Sequence, residues 1–403
     1  MKLLVIQEQH FVRMPNGEVW VDEQSDSKFW ERYLSVFEEV VVCARFRRSD
    51  SYNINNLLLS DHENVSFVEL PNTRGVGALV KKYSEMKRIM KEAIENCDRI
   101  IFRAPSPMSM VAYPLVKKSG KPFAVEIMNN PATHYSPSAM HNIYQPIIQK
   151  LTINHTKSIC RTANGVSYVT ERFLQELYPS TASFEGESKK YFESSYSTIR
   201  MEKSRYYFEE WDHQPPNEIT LIHTGKMQDN RKGQDIFIKT IHLLRRKGYN
   251  VKGILVGDGV MRKTFEQLAD TLNVHNAVEF TGWKAGFEAV QRELKRAQIA
   301  VFPSMGEGLP RSVIEAMAQG VLCFGSKVDG ICELLDDDCL VPDFTSECFA
   351  AHIQKYLDDW SKVLSERQKQ YSVSLRYEHS LLEKRRTEFY MKLREVNYSL
   401  EER

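Results

Sequence analysis

The chain has 403 residues, 42% hydrophobic and 27% charged, which excludes disordered, collagenous and disulfide-scaffold classes and supplies enough apolar material for two domains. Its 54 Lys and Arg against 53 Asp and Glu leave a net charge of +1, so no global electrostatic argument points to nucleic acid as a partner. The seven cysteines are scattered without a Cys-x-x-Cys pair and read as thiols of a reducing cytosol; the apolar run in MKLLVIQEQH is too short for a signal-peptide core or a membrane span.

In the first half, β-branched runs alternate with helix-period segments. Strands are expected at Leu3–Ile6, Val40–Arg45, Val65–Leu70, Ile100–Arg103, Phe123–Ile127 and Gly165–Thr170, and helices at Phe29–Phe37, Val80–Ile94, within Ala139–Thr156 and at Glu171–Tyr178. From Pro179 to Glu218 the pattern dissolves into Ser, Glu, Lys and aromatic residues ending in Gln214-Pro215-Pro216-Asn217, an edge insertion or linker. Alternation resumes with strands Ile219–Thr224, Val251–Val256, Ala277–Thr281, Ile299–Phe302 and Val321–Gly325, separated by helices Gln234–Lys247, Val260–Leu272, Phe287–Ala297 and Pro310–Gln319. Charged helices around Cys348–Lys369 and Leu381–Val396 close the chain. The α/β pattern predicts two doubly wound, Rossmann-like domains facing a cleft, over 1–217 and 218–375, followed by a helical segment over 376–403.

The most informative stretch runs from Pro303 to Gly320. A strand ends, a Gly-bearing loop follows, and Pro310 suits a first helical turn. Amides at Leu309, Arg311 and Ser312 would favour an anion such as a diphosphate. Seven residues separate Glu307 from Glu315. Glu307 is either a helix cap or a ligand to sugar hydroxyls. Glu315, inside the apolar Ile314-Glu315-Ala316-Met317-Ala318, demands a partner.

These residues resemble the Glu-(seven residues)-Glu signature of the retaining GT-B glycosyltransferase family, the glycosyl transferases of group 1. The resemblance extends through His223-Thr224-Gly225-Lys226, Arg231-Lys232-Gly233, Val256-Gly257-Asp258-Gly259, Thr281-Gly282-Trp283 and Asp329-Gly330-Ile331, and only weakly into the first half through Tyr168–Leu174. It implies that the 376–403 helix packs back on the first domain, and that Lys226 and Lys232 neutralise a donor diphosphate beside Gly225, Arg231, Gly308, Leu309 and Pro310. Glu307 would hold the donor sugar, Glu315 the nucleotide ribose, and Gly330 and Ile331 a wall near the sugar. Gly257, Asp258, Gly282 and Trp283 would surround the base, unless Trp283 is a core residue; Arg311 adds charge or forms a surface ion pair. In the first half, Asn130 and His134 are candidates for a place near the anomeric carbon, against a purely structural reading.

The implied function is retaining transfer of a hexose-type sugar from a nucleotide-sugar donor to a hydroxyl acceptor, without metal or other cofactor. The acceptor would be a bacterial surface polysaccharide (capsule, O-antigen or exopolysaccharide) or a lipid-linked precursor. The alternatives are a non-catalytic nucleotide-sugar-binding subunit and a sugar-nucleotide epimerase or hydrolase. The acidic run Asp336-Asp337-Asp338 reads as a solvated turn rather than a metal site. Val80–Lys91 carries five basic residues against Glu85: either an ordinary surface helix or one drawn to anionic membrane at the cytoplasmic face, with Lys117, Lys118 and Lys121 as possible additions.

Overall fold

A computed structural model describes residues 1–22, 25–49, 57–137 and 143–397. The chain forms two compact units: Met1–Ala132 with Ile143–Tyr196 and Glu383–Arg403, and Thr133–Asn142 with Ser197–Leu382.

The first unit contains β1 (Lys2–Arg13), β2 (Val19–Val21), α1 (Ser27–Leu34), β3 (Glu39–Arg48), β4 (Leu58–Leu59), β5 (Val65–Pro71), α2 (Val76–Glu95), β6 (Arg99–Ala104), α3 (Pro107–Ser119) and β7 (Phe123–Ile127). After α4 (Pro131–His134), which runs across the unit boundary, come α5 (Gln145–Thr162), β8 (Gly165–Tyr168), α6 (Phe173–Leu177), α7 (Thr181–Glu185) and β9 (Phe192–Ser195). Its strands lie parallel in the order β5-β3-β1-β6-β7-β8-β9, with β2 antiparallel to the far end of β1 and β4 beyond it. Near-continuous buried runs such as Val40–Phe46 follow from helices covering both faces.

Three features depart from the sequence expectation. Gln7-Glu8-Gln9 does not end β1: the strand passes through a register shift between Ile6 and His10 and continues to Arg13. A helix, α3, bridges β6 and β7, as parallel neighbours require. Ser106 caps it by accepting the Ser109 N–H, Pro107 opens it and Gly120 closes it in a left-handed conformation. Third, the segment read as insertion or linker holds α7 and β9, which completes the sheet edge.

The second unit contains β10 (Ile219–Thr224), α8 (Gln234–Arg246), β11 (Val251–Val256), α9 (Arg262–Thr271), β12 (Val278–Gly282), α10 (Phe287–Leu294), β13 (Ile299–Phe302), α11 (Arg311–Met317), β14 (Leu322–Ser326), β15 (Leu340–Val341), α12 (Ser346–Leu357) and α13 (Trp360–Ser374). The order β12-β11-β10-β13-β14-β15 is parallel throughout. The expected helix Cys348–Lys369 is two helices, parted at Asp358–Asp359, where Trp360 turns to stack on Trp211 and donates its indole N–H to the Asp212 carbonyl.

The last helix, α14 (His379–Glu395), lies in the first unit from Glu383 onward. Arg99 holds its end, donating to the carbonyls of Leu393, Arg394 and Val396. Its Tyr390 reaches Glu126 on β7, a buried carboxylate that accepts hydroxyls from Tyr390 (2.6 Å), Tyr33 (2.9 Å) and Tyr196 (3.1 Å) with Arg103 Nε at 3.3 Å. Removing the carboxylate takes the ion-pair partner from Arg103, which keeps Gln7 Oε1 (3.1 Å), and the acceptor from three buried hydroxyls. Glu126→Ala is therefore expected to cost about 3–5 kcal/mol, read as a lower urea midpoint, and Glu126→Gln distinctly less.

Candidate functional site

In the second unit the strand order reverses between β10 and β13, which pair through Leu221 with Ile299 and Ile222 with Ala300. The crevice beyond such strand ends is where open α/β sheets bind ligands. Gly225-Lys226 leaves β10 there, and Pro303–Pro310 leaves β13 on the way to α11.

Backbone approaches closer than any side chain permits join these loops. A Cβ on Gly257, whose φ is +140°, would stand 2.0 Å from the Gly225 carbonyl oxygen, and one on Gly330 2.0 Å from that of Gly308. The Met305 N–H donates to the Arg231 carbonyl (2.9 Å), and the Glu307 N–H to Asp329 Oδ2 (3.1 Å). Buried Asp329 has φ +40°, a region aspartate tolerates better than most residues. It is a positioning residue that sequence reasoning left without a role; its signal was an Asp directly before the glycine of the 329–331 turn.

The structure brings Lys232 and Glu307 together as an ion pair with the carboxylate well buried and the ammonium half-buried. Exposed Lys226 stands beside Gly225, its carbonyl accepting from Gln234 Nε2 (3.1 Å). Arg231 is held by Asp229, its Nε 2.9 Å from Oδ2. Below them His223 donates its Nδ1 proton to the Val301 carbonyl (2.8 Å). Burial pushes His223 down to about 4 against that hydrogen bond, and the Lys232 charge adds to the effect, so the ring is neutral near pH 7 and the site's positive charge comes from Lys and Arg alone.

Pro310 precedes α11, with no side-chain cap on the helix and Arg311 at its first position. Glu315 is half-buried and among the described residues accepts no hydrogen bond. Burial lifts its pKa to about 7, against the opposing charges of Arg311 and Arg205. Arg205 belongs to the 179–217 segment.

Other expected residues are placed differently. Asp258 is spent within its own turn, accepting the Gly259 N–H (2.8 Å) and pairing with Arg262 (3.2 Å). Trp283, after Gly282, is 58% exposed and is not a core residue. The side chain of Ile331 is fully buried against Gly325, so only its backbone borders the loop. Thr133 belongs to this unit and abuts Gly306, where an added Cβ would lie 2.8 Å from the Thr133 Cβ. Next to it, desolvation and then the Arg231 charge hold His134 below its ordinary pKa. Buried Asn130 accepts from the Tyr178 hydroxyl (2.7 Å) and the Ala132 N–H (3.0 Å), a structural role. Asp336–Asp338 opens a short exposed turn in which Asp337 pairs with Lys327. Among the described residues no three His, Cys, Asp or Glu side chains converge as a metal site would require.

Residues 218–359 match the family described as Glycosyl transferases group 1. Protein CapJ of Staphylococcus aureus is 27% identical over 304 residues, 75% of this chain and 73% of CapJ. The putative colanic acid biosynthesis glycosyltransferase WcaL of Escherichia coli (strain K12) is 24% identical over 151 residues, 35% of this chain and 37% of WcaL. Seven further curated relatives are spanned over 24% to 37% of their length. The crystal structure of Anabaena HepE in complex with UDP-glucose aligns with a TM-score of 0.62 at 16% identity, covering 96% of this chain and 98% of HepE. The second unit thus carries a Glycosyl transferases group 1 domain, and the pair of Rossmann-like units is the fold of GT-B glycosyltransferases.

Because the folded-state pKa of Glu315 lies above the ordinary carboxylate value, its ionisation opposes folding. The penalty is absent at about pH 4.5, grows as pH rises and is complete above about pH 7. Glu315→Gln is expected to be more stable than the parent at pH 8, by at most on the order of 3 kcal/mol, and equal to it near pH 4.5, as read from denaturant midpoints.

Proposed function

We propose that the protein is a metal-independent glycosyltransferase that moves a hexose-type sugar, with retention, from a nucleoside-diphosphate donor to a hydroxyl of a growing surface polysaccharide or its lipid-linked precursor. The observation that carries the reading is the Lys232–Glu307 pair set among glycine-locked loops at the reversal point of the second sheet, one turn of chain before α11. UDP-glucose in HepE supports a sugar-nucleotide donor, and the name of WcaL supports a polysaccharide product. The seven free cysteines suit work on the cytoplasmic side.

In this reading the second unit binds the donor and the first takes the acceptor. Lys226, Lys232 and the amides of Leu309, Arg311 and Ser312 on either side of Pro310 face the diphosphate, with Gly308 allowing close approach and Arg231 adding charge. The open acceptors of Glu315 take the ribose hydroxyls, and Trp283 with the Gly257 and Gly282 turns offers a wall for the base. Glu307 turns its carboxylate to the sugar hydroxyls, oriented by Lys232 and, through its backbone, by Asp329. The bond from the anomeric carbon to the diphosphate oxygen breaks while the acceptor oxygen attacks the same face. The acceptor proton passes to the departing phosphate oxygen. Charge grows on the diphosphate as it leaves, where the lysines stabilise it most. His134 stands beside Arg231, near the reacting carbon in this arrangement.

A panel of nucleotide sugars scored by thermal stabilisation would identify the donor. With that donor, Glu307→Gln should cut transfer by roughly 100-fold or more while nucleotide affinity, measured by calorimetry, changes little. Lys232→Ala should weaken nucleotide binding by about 1.5–3 kcal/mol. Unchanged transfer by Glu307→Gln would remove the assigned role.

A further inference from the structure

One buried charge of the first unit has no counterion. Arg32, in the last turn of α1, is only 8% exposed, and among the described residues its side chain makes neither an ion pair nor a hydrogen bond. Its Nε is sealed from solvent without an acceptor, whereas its two Nη groups are not sealed. The guanidinium carbon lies 4.0 Å from the centroid of the buried Phe29 ring, one turn earlier on the same helix. A ring face compensates a cation only in part, and here a second cation shares it. Arg103, near the end of β6, stands 4.7 Å from the same centroid. Burial first, and then the charge of Arg386 on α14, push Arg32 down to about 10, so it stays protonated near pH 7.

Around this point, among the described residues, stand three guanidinium groups and two carboxylates. Arg103 has Glu126, with Nε 3.3 Å from Oε2, and Arg386 has Glu383 one turn before it on α14. Glu126 is fully engaged: its Oε1 accepts from Tyr390 and Tyr196, and its Oε2 accepts from Tyr33 beside Arg103. The hydroxyls of Tyr33 and Tyr390, the other polar groups near Arg32, are thereby committed as donors. Arg32 is the charge left over. A buried cation without a counterion is less stable than a paired one, and less stable than an apolar side chain of similar size.

The surplus is positive and single, so the complement is an anion. A guanidinium presents parallel N–H donors that match two oxygens of a carboxylate or phosphate. At Arg32 the unsealed Nη pair offers that fork end-on. We propose that Arg32, flanked by Arg103 and Arg386, forms an oxyanion-binding site of the first unit, which takes a phosphate or carboxylate group through its two Nη groups. The site is independent of the donor chemistry, since Lys226 and Lys232 belong to the second unit. A bound ion would draw together α1 and α14, the helices that carry Arg32 and Arg386. Free phosphate and the acidic substituents of saccharides share the required chemistry.

The test is the melting temperature of the full chain in sodium phosphate, up to about 10 mM, with ionic strength held constant by sodium chloride so that screening does not change. Phosphate should raise it by at least about 2 °C. Arg32→Met should abolish the rise and, having lost an uncompensated charge, melt no lower than the parent without phosphate. Arg32→Lys keeps the charge but not the fork and should need about tenfold more phosphate for the same rise; if Arg32→Met does not fold, an unchanged phosphate requirement in Arg32→Lys overturns the proposal. Glucose 6-phosphate and glucuronate, set against phosphate and acetate, separate the sources: action at about tenfold lower concentration assigns the site to a saccharide's acidic group, and equal or weaker action assigns it to the free ion, either result supporting the site. Lys232→Ala should retain the rise. No rise in the parent, or one that survives Arg32→Met, would overturn the proposal. So would a rise lost in Lys232→Ala, which would assign the anion to the loops of the second unit.

Discussion

A parallel sheet offers a ligand site where its strand order turns back, because the loops leaving the two central strands diverge to opposite faces and leave a gap between them. In the second unit that gap lies between β10 and β13, and the local chemistry is organised around keeping its walls close. Gly257 against Gly225 and Gly330 against Gly308 bring main chain to main chain, which only residues without a Cβ allow. Lys232 and Glu307 then join, across this approach, loops that lie 75 residues apart in the chain. The pair gives each partner a fixed direction before any ligand arrives, which is what electrostatic stabilisation of a short-lived charge requires.

Glu315 shows the cost of such a site. A carboxylate in an apolar helical segment, lacking a protein hydrogen bond among the described residues, works against the fold. Selection for stability alone would favour an uncharged side chain there. The neutral, buried His223 shows the opposite economy: it fixes the β13 edge through Val301 without adding charge.

Much of this was legible in the sequence, for reasons that differ between elements. Ile219–Thr224, Val251–Val256 and Ile299–Phe302 are apolar β-branched runs between breakers and coincide with observed strands. The continuation of β1 was hidden because Gln7-Glu8-Gln9 imitates a strand end, whereas a register shift carries the polar residues through. The α3 helix was hidden because its apolar residues spread around it and Pro114 interrupts the pattern, although Ser106-Pro107 and Gly120 mark its ends. At the site, the spacing of Glu307 and Glu315 could be seen along the chain, but the service of Asp329 to the Glu307 amide is tertiary and leaves no periodic trace. Ile331, adjacent to a loop glycine, looked like lining and is core, because its side chain turns beneath Gly325.

The clasp around Glu126 has a bearing on how the protein comes into being. The hydroxyl of Tyr390 sits 264 residues downstream of the carboxylate it serves, with the whole second sheet encoded between them. During synthesis Glu126 has Tyr33, Tyr196 and Arg103 for partners well before Tyr390 is made, while the intervening lobe has every strand of its sheet beforehand. The first lobe is thus the one whose buried polar centre is completed from a distant part of the chain, a long loop closure that favours late completion of its packing over local nucleation.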